Sequence, residues 1–576
     1  MTLLLQSPMA KGRTQLVATI TKYLMTQSKD IKTNEWDINN WLRWKRKQGS
    51  GIGDAAATTS NKDIVDSFPE PDSEDNNNNN KLGDMISTET SEVSETIQGK
   101  SWYFWPNGST STVKESISIA TQTTRSNTLY TEEISLNSDN IKPDILRSTT
   151  VTDSHNILVP SFEESLPKNT YYNQLSSLFI TMSSKLGYEG GSQRKSQLTR
   201  NDCPNTSFSN VLIIGVHGFF PTKYLRPLIG EPTGTSIKFM SEAENAFKIW
   251  LKENKHYFGK KKKIRLSKIA LEKEGKIFDR VKYFYDVLSK HDLNQYDFIY
   301  IAAHSQGTPV SIILMAQLLE SGLISDMNGK LFGILGMAGI SNGPFYGINQ
   351  KIFVRAYSKI ESDSMLELFE FQDFNSIQSV KYLQSLKILL SNNVRIAFVG
   401  SIDDQLVPLY SSVCSHIQHP NIFRSIYIDK DTETPNFLMK ILNCALLLKN
   451  MGLNDHGIIK EISNALAGPL TGGGHSKIYN EFKVYESGIR FFLYSNPKRG
   501  VEDTPVVFKP FEVEKLGSNP YYLPFCLRGL MYESSANIEN GERYVELMLK
   551  EFDDWNPNTK VLKDIKYRLS AMKAKL

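Results

Sequence analysis

Between residues 210 and 495 short, wholly apolar runs alternate with amphipathic stretches. That is the pattern of buried parallel strands joined by helices. The apolar runs are Asn210–His217, Asp297–Ala303, Lys330–Ile340, Asn393–Gly400 and Ile422–Asp429. The amphipathic stretches predict helices over Ser241–Lys252, Lys276–Lys290, Val380–Leu390, Asn436–Met451 and Val484–Leu493. Val310–Glu320 is apolar on every side and predicts a buried helix, with Pro309 suited to its first turn. A strand beginning at Ile269 follows the basic stretch Gly259–Lys268, which reads as a solvated loop. Contact with acidic lipid headgroups is the functional alternative for that stretch. The alternation predicts an α/β fold with a mostly parallel sheet and helices on both faces.

The pattern changes at both ends of this region. Residues 1–48 form a basic, amphipathic segment with helical stretches at Thr14–Met25 and Trp36–Lys47. The segment suits docking on its own protein or on a membrane surface. Residues 49–150 are poor in apolar residues and rich in Ser, Thr, Asp, Glu and Asn, so they read as a largely disordered linker. The aromatic motif at 101–106, Ser101–Pro106, interrupts that linker. Order returns near residue 156, with a helical pattern at Tyr171–Lys185, and the main domain is expected over 151–495. Residues 341–392 break the strand–helix rhythm and read as a helical cap insertion or a plain helical extension. Residues 496–576 form a helical, basic C-terminal extension that packs on the core or binds a partner.

Composition adds bounds. With 576 residues the chain has room for a large core with additions, and a net charge of +4 gives no whole-chain reason to expect nucleic acid. No apolar run reaches the length of a membrane span, and the N-terminus lacks the features of a secretory signal. Cys203, Cys414, Cys444 and Cys526 are scattered without metal-ligand spacing and read as reduced thiols. A cytoplasmic location is the expectation, with a membrane, lipid droplet or mitochondrion as alternatives. No metal and no cofactor are expected.

The candidate chemistry lies just past the strand ends. Ala303-His304-Ser305-Gln306-Gly307 connects a strand to a helix, so Ser305 sits in a sharp turn and reads as a nucleophile. Tight packing requires small residues two positions either side; Gly307 fits, and Ala303 replaces the usual glycine. The strand at Asn210 ends in His217-Gly218-Phe219-Phe220. Gly218 lets the backbone turn so that the N–H of Phe219, with that of Gln306, can face a developing oxyanion. His217, Gly218 and Phe220 are expected beside substrate. Asp404 follows a strand and has the spacing Asp-x-x-Val-Pro, with Asp403 as the alternate. For the histidine, His475 lies in a glycine-rich loop between the last strand and the helix at Val484, and His456 is the alternate.

The order His217-Gly218, Ser305, Asp404, His475 resembles the serine hydrolases of the α/β-hydrolase superfamily. It looks most like fungal lipase-like hydrolases with His-Ser-Gln-Gly at the nucleophile. The stretches Ile229–Ser236, Ser401–Val407 and Gly474–Tyr479 carry that likeness. The resemblance implies cleavage of carboxylic esters by a Ser305–His475–Asp404 triad through an acyl-enzyme. Acyl or lipid esters are the implied substrates, and peripheral membrane contact is compatible with the N-terminus. Acyl transfer by the same triad, or a non-catalytic scaffold of the same fold, are the alternatives.

Overall fold

The apolar runs assemble into one eight-stranded sheet in the computed structural model. Its strands are β1 (Tyr130–Ser135), β2 (Ile157–Val159), β3 (Asn210–Val216), β4 (Lys263–Leu271), β5 (Phe298–His304), β6 (Leu331–Met337), β7 (Arg395–Ser401) and β8 (Ile422–Ile428). The spatial order is β1-β4-β3-β5-β6-β7-β8-β2. Neighbours from β4 to β8 are parallel, while β1 and β2 run antiparallel at the two edges. The structure describes residues 36–37, 126–136, 156–168, 198–219, 234–259, 262–325, 327, 329–347, 363–432, 434–469, 473–496 and 504–573. All of these belong to one compact unit, Met1–Trp44 with Thr124–Leu576.

The main helices are α1 (Ser236–Glu253), α2 (Ile277–Leu288), α3 (Gly307–Glu320), α4 (Asp363–Glu370), α5 (Ile377–Ser391), α6 (Asn436–Asn450), α7 (Phe482–Tyr494), α8 (Tyr522–Asn537), α9 (Gly541–Asp554) and α10 (Lys560–Ser570). Alternate residues of β3 face opposite layers. Val211 and Ile213 pack with α1 and α7, while Leu212, Ile214 and Val216 pack with α2, α3 and α5. The chain runs from β3 out to β4, then returns across β3 to β5. Its direction across the sheet therefore reverses between β3 and β5. In an open α/β sheet, that reversal leaves a crevice at the carboxyl ends of the two strands.

Local chemistry accounts for the boundaries. Thr235 caps α1, its hydroxyl accepting from the Lys238 N–H at 3.2 Å, so the helix begins five residues before the apolar pattern indicates. α3 is buried along almost its whole length and lies under the centre of the sheet. α8 and α9 cover α6, and Phe437 of α6 meets Phe552 at 4.9 Å and Trp555 at 5.6 Å between ring centroids. This places the C-terminal helices on the core.

Several expectations change. The basic stretch before Ile269 is not a loop: β4 begins at Lys263, with Ile264 and Leu266 buried and Lys263 and Arg265 exposed. Period-two alternation, not hydrophobic content, marks this strand. The linker expected over 49–150 contains β1, whose polar side chains suit an edge. Thr131 hydrogen-bonds Ser267 at 2.9 Å, and Glu132 pairs with Lys248 at 2.7 Å. Trp36–Asp37 is extended, where a helix was expected, and pairs with Val507–Phe508. Within the expected cap, α5 is the crossover helix between β6 and β7, with Leu383, Leu386, Leu389 and Leu390 in the same core cluster as α3. The stretches Thr14–Met25, Ser101–Pro106 and Tyr171–Lys185, along with Phe220, lie outside the described residues. Among the described residues, no helix is long and apolar enough to cross a membrane.

Gly215 shows how closely the layers approach. A Cβ there would overlap the Ser236 carbonyl oxygen and lie 2.7 Å from the Met240 nitrogen. Both are backbone atoms of α1 and cannot rotate away. Gly215→Ala is therefore expected to destabilise the protein by about 2–3 kcal/mol, measured by urea unfolding. A midpoint equal to wild type would show that α1 can withdraw freely from β3.

Candidate active site

The site is built at the crevice. β5 ends at His304, and α3 begins at Gly307, leaving two residues for the reversal. Ser305 takes a left-handed conformation with φ +53. A non-glycine residue there is strained, and such strain concentrates at functional turns. Its backbone is tied down on both sides: the Ser305 N–H donates to Met337 O at 2.9 Å, and its carbonyl accepts from Thr308 N–H at 3.0 Å. Gly307 is required by space, since a Cβ would lie 2.5 Å from His217 O and 2.6 Å from Val216 O. Gly218 is equally restricted, because a Cβ there would lie 2.8 Å from the Ser305 Cβ. The end of β3 thus rests directly on the serine turn. Among the described residues, the backbone N–H groups of Phe219 and Gln306 have no hydrogen-bond acceptor.

Asp404 lies just past β7, and His475 lies in a short helical turn, Gly474–Lys477, before α7. Asp404 is 2 % exposed, and its Oδ2 accepts from His475 Nδ1 at 2.8 Å. Its Oδ1 accepts from the N–H groups of Leu406 and Val407 at 2.8 and 2.9 Å. These bonds hold the carboxylate and place a proton on His475 Nδ1, which leaves the Nε2 lone pair of the neutral ring available. Asp403 turns elsewhere, its Oδ1 accepting from Ser401 and its Oδ2 from Thr432, at 3.0 and 3.2 Å. His456 is also separate. Its ring lies against Gly529 of α8, with Nε2 3.7 Å from a Glu533 oxygen.

His304 connects the two halves. Its Nε2–H donates to the His475 carbonyl at 2.8 Å, and the two imidazole centroids are 4.6 Å apart. The His475 N–H donates to Gln405 Oε1 at 2.9 Å. The histidine's backbone is therefore held from both sides, by residues adjacent to Ser305 and Asp404. Burial and the neighbouring His475 push the His304 pKa well below the usual histidine range.

His217, expected beside substrate, is only 1 % exposed. Its Nδ1–H donates to Gly218 O at 2.6 Å, and Nε2 accepts from the Lys273 N–H at 3.3 Å. The ring therefore braces backbone. Burial, then the Arg280 charge, lower its pKa to about 3. Arg280 was not anticipated. It is fully buried on α2, with Nη2 donating to His217 O at 2.7 Å and Nη1 to Gln306 Oε1 at 2.6 Å. The signal was present in the sequence, since Arg280 interrupts the apolar stripe Ile277, Val281, Phe284 and Leu288. His304 and Gln405 were visible in the motifs but carried no assigned role.

A family model for the YMC0/YMC35 alpha/beta hydrolase domain matches residues 159–534. The chain belongs to this α/β-hydrolase family. The match ends within α8, so the family domain reaches beyond the boundary expected at residue 495. No curated protein matches the chain significantly. Among solved structures, it is similar to a phospholipase from Legionella pneumophila, at 13% identity and a TM-score of 0.23, over 34% of this chain and 37% of that one. A lipase from Bacillus licheniformis is 12% identical with a TM-score of 0.21, over 35% of this chain and 69% of the other. A monoglyceride lipase from Saccharomyces cerevisiae is 12% identical with a TM-score of 0.21, over 38% and 77%. The chain therefore spans little more than a third of the Legionella protein's length.

The buried histidines give the protein a pH signature. The folded-state pKa of His217 is about 3 against an ordinary 6.5, and that of His416 is also about 3, through burial and the Arg424 and Lys449 charges. Between those values the unfolded chain binds protons that the folded chain does not. Stability is therefore fully present above pH 6.5 and is lost progressively as pH falls toward 3. The expected loss between pH 6.5 and 5 is about 2 kcal/mol for each histidine. Urea midpoints measured from pH 7 to 5 check this, and a flat series would contradict it.

Proposed function

We propose that the chain is a serine hydrolase cleaving carboxylic esters, with Ser305 as nucleophile, His475 as general base then acid, and Asp404 as the residue that orients it. One observation carries the reading: a buried carboxylate–imidazole hydrogen bond of 2.8 Å, tied through His304 to a serine held at positive φ. The N–H groups of Phe219 and Gln306, with no other acceptor among the described residues, are the proposed oxyanion donors.

The chemistry follows from these roles. Ser305 Oγ attacks the ester carbonyl carbon while its proton passes to His475 Nε2. The carbonyl oxygen becomes an oxyanion facing the two N–H groups. Collapse breaks the bond to the alcohol, which leaves with the proton from His475 as the acyl-enzyme forms. Water then adds to the acyl carbon with His475 again accepting a proton, and the acid is released. Asp404 orients the ring and stabilises the imidazolium. No step requires a metal or cofactor.

Exposed apolar side chains near Asp404 support an apolar acyl group as substrate. Leu406, two residues past Asp404, is 40 % exposed and Tyr346 is 45 % exposed. The Phe345 N–H donates to Leu406 O at 3.1 Å, which joins the backbones of the two segments. Apolar side chains left exposed beside a polar site suit a lipid-like ester better than a small charged one.

Fluorophosphonate labelling of the full chain tests the reading. Ser305→Ala is expected to abolish labelling. His475→Ala and Asp404→Asn are expected to slow it on the order of 100-fold or more. Asp403→Asn, whose carboxylate faces Ser401 and Thr432, should label at nearly the wild-type rate. Equal labelling of wild type and Ser305→Ala would end the proposal.

A further inference from the structure

Arg280 presents a physical problem. Its guanidinium is fully buried, and among the described residues no carboxylate forms an ion pair with it. Glu274 acts on it only through space, and burial lowers its pKa to about 9, so it stays charged at neutral pH. Its Nε is buried without a hydrogen-bond partner. An unpaired buried charge costs several kcal/mol in general, and a well-packed apolar residue would often be as stable or more so. Stability therefore does not explain an arginine here.

Its hydrogen bonds suggest another reason. Nη2 donates to His217 O at 2.7 Å, and Nη1 donates to Gln306 Oε1 at 2.6 Å, with Gly218 O 3.4 Å from the same nitrogen. One guanidinium thus joins the end of β3 to the residue after Ser305. Gln306 Nε2 donates onward to Gly275 O at 3.2 Å, so its side chain is fixed at both ends. The Gly218 carbonyl also accepts from His217 Nδ1 at 2.6 Å. In a trans peptide the carbonyl and the N–H point in opposite directions. Holding the Gly218 carbonyl inward therefore turns the Phe219 N–H outward, toward the crevice. The rigid fork of an arginine suits this two-point attachment, which a lysine cannot reproduce.

We propose that Arg280 is a positioning residue that clamps the two arms of the oxyanion site, Gly218–Phe219 and Gln306, and places a fixed positive charge behind them. The assignment rests on the reading of Ser305 as nucleophile. Arg280 does not touch substrate. It acts by holding two N–H donors at the spacing an oxyanion needs and by polarising the Gly218–Phe219 peptide, whose carbonyl it faces. Its effect should appear where negative charge develops on the carbonyl oxygen, and not in ground-state binding.

The test uses the full chain with a p-nitrophenyl acyl ester and, in parallel, fluorophosphonate inactivation. In the latter, Ser305 Oγ bonds to phosphorus, fluoride leaves and the hydroxyl proton passes to His475. Arg280→Met is expected to lower kcat about 100-fold, with KM changed by no more than about twofold, and to slow inactivation similarly. Arg280→Lys, which keeps the charge but loses the fork, should fall between it and wild type. The control is Arg395→Met. Arg395 is also a buried arginine bonded to a carbonyl, that of Phe492, but it begins β7 at the opposite end of the sheet from the site. It should retain wild-type kcat, because its loss loosens the core without touching the oxyanion arms.

If folded Arg280→Met keeps kcat within about threefold of wild type, or if Arg395→Met loses as much, the clamp is wrong while the reading of Ser305 stands. Should the methionine variant fail to fold, Arg280→Lys decides by the same comparison. A wild-type protein that neither turns over ester nor reacts with the probe would overturn the nucleophile reading and the clamp with it.

Discussion

Where β3 ends, its backbone lies against the serine turn with no side chain between them. Gly307 faces the carbonyls of Val216 and His217, and Gly218 faces the Ser305 Cβ. Much else follows from this contact. Such close approach leaves room only for glycine at both positions and forces the chain to reverse within two residues. Ser305 accepts the positive φ that the reversal demands. The strain is held by the hydrogen bonds to Met337 and Thr308 and by α3, which is buried along most of its length and cannot unwind to relieve it. A local rule broken at one residue is thus enforced by the layers around it.

The same crowding determines how charge and polarity are placed. The polar groups beneath the crevice are buried, and many of them bond to backbone. His217 braces Gly218 and accepts from Lys273, His304 holds the carbonyl of His475, and Asp404 takes the N–H groups of Leu406 and Val407 as well as the imidazole. Satisfied polar networks of this kind fix one geometry, because any displacement leaves a buried group without a partner. The low pKa values of His217 and His304 belong to this arrangement, since both rings are held neutral as parts of the scaffold.

How far this could be read from the chain depended on what each element buries. The central strands were legible because both of their faces are covered, leaving apolar runs without alternation. β4 was recognised late, from Ile269, because its first half exposes Lys263 and Arg265 while burying Ile264 and Leu266. β1 was missed because it is an edge strand with polar side chains in ion pairs. Within the site, Ser305, His475 and the pair Asp403–Asp404 were visible through their positions past strand ends. Asp404 was preferred to Asp403 on its spacing to Val407-Pro408. Neighbouring side chains diverge, and here the Asp403 backbone faces Gly474 while the Asp404 carboxylate reaches His475. Roles that depend on long-range contact, such as those of Arg280 and Gln405, have no local signature beyond a polar residue in an unexpected place.

His456 carries the argument to the C-terminal helices. It competed for the catalytic position in the sequence because it too follows the last strand. Its φ is +54, and its ring fits against Gly529 of α8 so closely that a Cβ there would overlap the imidazole. α8 and α9 bury the outer side of α6, with Phe552 and Trp555 packed in tilted contact with Phe437. Without them α6 would present a broad apolar face to water, a surface that soluble domains rarely leave open. The family match ending at residue 534, inside α8, agrees with that packing. The C-terminal helices thus cover α6, and His456 packs against them while His475 bonds Asp404.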